Sequence, residues 1–152
     1  DDEQTAANYA TLDMRNGHPV LDFDAATDEA AVFSAVLPRN YAGGGLTVYC
    51  HISASGITTG NYIIDASFER IGDGSQDVDA DGFATANSLA ATAVPATDGF
   101  VDIVNVTFTD GAQIDSIAVG ELFRIKINRD ANNAGDTAAA DIELHAVEIK
   151  ET

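Results

Sequence analysis

Along much of the chain apolar and polar residues alternate with a period of two, the pattern of a strand with one face in a core and the other in water. In LTVYCHISA, Leu46, Val48, Cys50 and Ile52 share one face, and Thr47, Tyr49, His51 and Ser53 share the other. NYIIDASFER repeats the pattern, with Tyr62, Ile64, Ala66 and Phe68 opposite Asn61, Ile63, Asp65, Ser67 and Glu69. ITTGN between these segments reads as a short connection turning at Gly60. FVDIVNVTF sets Val101, Ile103, Asn105 and Thr107 against Phe100, Asp102, Val104, Val106 and Phe108. ELFRIKINR sets Phe123, Ile125 and Ile127 against Arg124, Lys126 and Asn128. Both are expected as central strands.

Weaker strand signals lie in ATLDM, PVLDF, EAAVFSAVLP, ATANSLAATAV and DIELHAVEIKE. In the last, Ile142, Leu144 and Ala146 have one parity and Val147 and Ile149 the other, which a bulge after Leu144 reconciles. EAAVFSAVL has the alanines of a helix, yet Val32, Phe33 and Val36 supply only one turn of stripe, so strand is preferred. GAQIDSIAVG, with Ile114 and Ile117 three apart, predicts one short helical turn. NYAGGG, GDGSQDVDADG, PATDG and RDANNAGDT carry the residues that end strands and tolerate positive φ. About eight or nine strands joined by polar connections predict an all-β fold: a two-sheet antiparallel β-sandwich, jelly-roll-like. The immunoglobulin-like alternative expects a buried Trp and often a cysteine pair. This chain has no Trp and one Cys.

A length of 152 residues suits one domain, expected over residues 10–152, with residues 1–9 as a polar N-terminal arm. The formal net charge of −18 would repel a nucleic-acid backbone, so no direct nucleic-acid partner is expected. No stretch approaches the roughly 20 apolar residues that span a bilayer, and DDEQTAANYA lacks the basic and apolar regions of a signal peptide, so no membrane partner is expected. With Cys50 alone, no disulfide can form within the chain.

The candidate chemistry is sparse. DVDADG places Asp77, Asp79 and Asp81 at alternate positions before Gly82, the first half of a calcium loop in which carboxylates wrap a hard cation. The closing half is missing: position nine is Thr85 and position twelve, normally a bidentate Glu, is Ser88. A ligand such as Asp73 would have to complete it, and in so acidic a chain a solvated loop is the preferred reading. His18, His51 and His145 lack the spacing that presets a metal pair. Cys50 and His51 point to opposite faces of their strand and cannot form a dyad. No serine stands in a nucleophile elbow, and Gly43-Gly44-Gly45 is not followed by the Lys and Ser or Thr of a phosphate loop. No catalytic residue, no cofactor and no enzymatic activity are therefore expected. Tyr41, from a loop, and Tyr49, from the polar face of its strand, are the aromatic candidates for stacking on a sugar; Tyr62 belongs to the core face.

NGHPVLDFDAATDEAAVFSAVLPRNYAGGGLTVYCHISAS and FERIGDGSQDVDADGF resemble the small β-sandwich structural proteins of tailed bacteriophages, over roughly residues 10 to 150. The resemblance is one of layout and pins no site residue. It implies a head decoration (cement) protein, bound as a homotrimer to the major capsid protein on the outer surface of the virion head, made in the host cytoplasm and reinforcing the shell. The alternative is a tail-fibre or receptor-binding module that recognises glycans.

Overall fold

The computed structural model describes residues 8–152. Eleven strands follow one another: β1 (Thr11–Arg15), β2 (His18–Phe23), β3 (Glu29–Val36), β4 (Leu46–Ala54), β5 (Asn61–Tyr62), β6 (Ile64–Ile71), β7 (Asn87–Ser88), β8 (Thr92–Ala93), β9 (Asp102–Phe108), β10 (Leu122–Arg129) and β11 (Ile142–Glu151). Eight are longer than two residues. They form a five-stranded sheet, β1-β2-β11-β4-β9, and a four-stranded sheet, β3-β10-β6-β7, while β5 and β8 pair as a separate ribbon. All these pairings are antiparallel.

The alternation fixes which faces meet. From β4, Leu46, Val48, Cys50 and Ile52 point inward, against Phe68 and Ala66 of β6 and Phe123, Ile125 and Ile127 of β10, in one core. Phe68 anchors it, with its ring edge-on to Phe108 at 4.9 Å and tilted against Phe123 at 5.5 Å. Burying a side chain of this size contributes ~3 kcal/mol. Gly45, at φ 87°, enters β4 where a Cβ would stand 2.3 Å from the Phe108 carbonyl oxygen, so only glycine lets these two strands close together.

The bulge in β11 falls where the parity change places it: Leu144 faces Ile52 and Ala146 faces His51, with the register shifting between them. Val147 and Ile149 thereby return to the core side. EAAVFSAV is a strand, and Gly111 leads into a single 3-10 turn, Ala112–Ile114.

Several expectations are corrected. Among the described residues β9 is an edge strand, paired with β4 alone, whereas β10 is central between β3 and β6. ATANSLAATAV is not a strand but two two-residue pieces, β7 and β8, with no apolar alternation long enough to hold a ladder. The 61–70 segment breaks at Ile63: its N–H donates to Asp136 Oδ2 at 3.1 Å and its carbonyl accepts from Asp130 N–H at 3.1 Å, outside either sheet. Of the expected N-terminal arm, Tyr9 forms a parallel bridge with Ala30, and residues 1–7 lie outside the described residues.

Arg129, fully buried on β10, ties the 130–141 segment to the sandwich. Its guanidinium donates to Asp136 Oδ1 and Oδ2 at 2.8 and 3.0 Å and to the carbonyls of Phe23, Ala138 and Ala140. All five N–H donors are used, as a buried cation requires.

Candidate functional site: the outer face of the five-stranded sheet

The polar parity of β4 faces away from the core and is completed by its neighbours. Tyr49 lies opposite Asn105 of β9 and Glu148 of β11, and His51 lies opposite Ile103 and Ala146. Tyr49 and His51 are half-buried, while Ile103, Asn105 and Glu148 are exposed. The result is an aromatic ring in the middle of a sheet face, with an amide on one side and a carboxylate on the other.

Along the same face stands a hydrogen-bonded floor. Ser53 and Glu143, cross-strand partners, are only 1% and 4% exposed. Ser53 O–H donates to Glu143 Oε2, and His145 Nε2 lies 2.8 Å from Ser53 Oγ. With the Ser53 hydrogen committed to Glu143, His145 serves as the donor and its Nδ1 is left as an acceptor. Plain alternation after Leu144 sets His145 on the outer side beside Ser53, and the bulge sets Ala146 on that side as well. Burial is the largest influence on the imidazole and lowers its pKa; Glu143 opposes this, while Arg15, His18 and His51 reinforce it. His145 is thus neutral at neutral pH.

Arg15 crosses above this floor. Its guanidinium pairs with Glu143, donates to the Ala54 carbonyl at 2.7 Å, and reaches Asp98 Oδ1 at 2.6 Å. β1 is three strands from β4, roughly 14 Å in a flat sheet, farther than an arginine side chain extends. The β1–β2 hairpin therefore curls over the outer face, making it concave. Glu143 first and Asp98 second hold the Arg15 pKa above its ordinary value, and Arg15 is the main reason the Asp98 carboxyl is lowered. Between the curled hairpin and the 98–101 loop lies a cleft of about 350 Å3, lined by Arg15, Asn16, His18, Gly99, Val101 and His145.

All three histidines of the chain thus meet one concave face, although their sequence spacing predicts no such grouping. Arg15, Ser53, Asp98 and Glu143 carry no local signal at all; only the sheet order brings them together. Cys50 points the other way, into the core, where burial raises its thiol to about 12. Tyr41 is held in its loop: its hydroxyl donates to Asp110 Oδ1 at 2.7 Å and accepts from Gly45 N–H at 3.0 Å. Tyr62 is core, as its parity requires.

The Asp77, Asp79 and Asp81 loop follows β6 of the other sheet. Asp77 Oδ1 accepts from Asp79 N–H, Asp81 Oδ1 accepts from Gly82 N–H, and the three side chains are exposed. Two of the three carboxylates thus turn back on their own backbone. Among the described residues no group of three His, Cys, Asp or Glu side chains is arranged to hold a metal ion.

No protein family matches the chain, and no curated protein matches it. Among solved structures it is similar to the CBM22-2 xylan-binding domain from Paenibacillus barcinonensis Xyn10C. The TM-score is 0.52 at 14% identity, over 97% of this chain and 89% of that one. The fold is a jelly-roll-like β-sandwich. A structure of infectious bursal disease virus, Gt strain, gives a TM-score of 0.33 at 12% identity, over 93% of this chain and 37% of that one. At such identities likeness speaks for fold alone.

Proposed function

We propose that this β-sandwich is a non-catalytic carbohydrate-binding module whose ligand lies on the concave face of the five-stranded sheet. The observation that carries the reading is Tyr49, half-exposed between Asn105 and Glu148, on a face that runs into the Arg15–His145 cleft. An aromatic face stacks on the C–H side of a pyranose ring, while amide, carboxylate and imidazole groups beside it pair with hydroxyls. A similar solved structure is named as a xylan-binding domain, which supports a sugar as the ligand of this architecture. The floor supports binding rather than turnover, since the Ser53 hydroxyl is only 1% exposed, under the Arg15 side chain and away from any incoming electrophile. Glycan-array screening, then titration with xylan and other neutral polysaccharides, tests the reading. Tyr49→Ala is expected to weaken binding about tenfold, or ~1.4 kcal/mol, with Tm unchanged. A wild-type protein that binds none of them, or a Tyr49→Ala protein that binds equally well, refutes it.

A second reading is favoured by a different observation. Leu12 and Met14 on β1 are 71% and 58% exposed, beside an edge that no further strand among the described residues pairs with, a surface of the kind another chain covers. This supports an assembling virion protein: a homotrimer that decorates the outside of a tailed-phage head and clamps neighbouring copies of the major capsid protein. Copy number in purified virions tests it. Near parity with the capsid protein supports a shell-wide cement, a few to a few tens of copies would favour a fibre, and absence refutes the virion reading.

A further inference from the structure

We infer that the concave face receives the end of a neutral glycan chain, and that Arg15 is the specificity-determining residue that prevents a longer chain from running through. This rests on the carbohydrate-binding reading of the same face. Tyr49 and Ser53 lie four residues apart on β4, about 14 Å along the strand. A saccharide laid along this line from Tyr49 passes His51 and reaches the Ser53–Glu143–His145 floor. There Arg15 stands across its path, fixed at once to the Ala54 carbonyl just beyond Ser53, to Glu143 beneath, and to Asp98 on the loop before β9. Gly99 closes against the same guanidinium, a Cβ there standing 3.6 Å from Arg15 Nη2. At the opposite end Thr107, Glu148 and Lys150 are exposed, so the face is open where the rest of a chain would leave.

The chemistry of the closed end selects its occupant. The cleft, at about 350 Å3, is near the small end of ligand sites and suits a terminal residue or two. His18, His145 and Asn16 offer donors and acceptors to hydroxyls. The one guanidinium is already shared by two carboxylates, in a chain of net charge −18, which disfavours a uronate at this position.

The test is calorimetric titration of the full chain with xylohexaose, cellohexaose and mannohexaose, with the same hexaoses methylated on the terminal residues, with hexagalacturonate, and with soluble neutral polysaccharides of known length. One protein per chain end whatever the length, and a loss of about tenfold or more on terminal methylation, are expected. Arg15→Ala leaves Glu143 buried without its cation, so the paired variant Arg15→Ala with Glu143→Gln accompanies it. Several copies of that variant per polysaccharide are expected. Several copies of the wild-type protein along one polysaccharide, or indifference to methylation, overturn the inference while leaving carbohydrate binding intact. Tighter binding of hexagalacturonate overturns the neutral class, and no binding to any saccharide overturns the underlying reading together with the inference. Should neither variant fold, the wild-type stoichiometry alone decides.

Discussion

Replacing Arg129 with Met keeps much of the side-chain length and removes the charge with all five donors. The side chain is fully buried, and the side chain of its partner Asp136 is 1% exposed. Without the guanidinium the Asp136 carboxylate keeps the Ile63 N–H as a partner but loses both charge-assisted bonds, and the carbonyls of Phe23, Ala138 and Ala140 lose one donor each. Breaking a buried ion pair from one side costs about 3–5 kcal/mol. In a domain of this size each kcal/mol lowers Tm by about 2–4 °C, so a fall of ~10 °C is expected. Urea unfolding followed by circular dichroism should show a lower midpoint at unchanged slope. Arg129→Lys should fall between, since the ammonium keeps the charge but has three donors and no fork. Replacing both partners, Arg129→Met with Asp136→Leu, should recover part of the loss because no stranded charge remains. A single Arg129→Met protein within ~1 kcal/mol of wild type would refute the reasoning, by showing that water reaches Asp136 and the carbonyls.

Asp22, in the acidic hollow beside Asp13 and Asp141, has its pKa raised from 3.8 to about 6, first by burial and then by Glu143, Asp13 and Asp141. An acid whose folded pKa is raised favours folding while protonated, so its stability contribution is full below pH 4 and is lost as pH rises through about 6. Asp22→Asn should therefore raise Tm at pH 7, by ~1 kcal/mol in stability after allowance for solvent screening, and flatten the pH dependence between 4 and 7; an unchanged profile would count against it. In the DVDADG loop, Asp79→Asn with Asp81→Asn should leave any response of Tm to calcium as it is in the wild type, because these side chains are exposed and ungrouped. A calcium-induced rise in Tm that the double variant abolishes would restore the loop as an ion site.

The sequence by itself determined the local pattern and much of the architecture. Alternation over Leu46–Ala54 and Leu122–Arg129 fixes which side chains enter the core, because a strand has only two faces. The bulge after Leu144 follows from the same rule, since without it Val147 and Ile149 would face water. Tyr49 on the outer face and Cys50 and Tyr62 in the core are equally legible. What lay beyond the sequence is which strands become neighbours. β11 joins β2 to β4 from far along the chain, with Glu143 separated from Ser53 by 90 residues, and that pairing alone sets Glu143 beside Ser53 and Asp22. β9 alternates as regularly as β10, yet one is at an edge and the other in the centre, since pattern encodes the faces of a strand but not its lateral partners. Arg15 reads as a plain polar residue near a turn, and only the curl of the hairpin carries it to Ala54, Glu143 and Asp98. The concave face is thus a tertiary product: its residues are set outward by local alternation, and its closed end is made by long-range pairing.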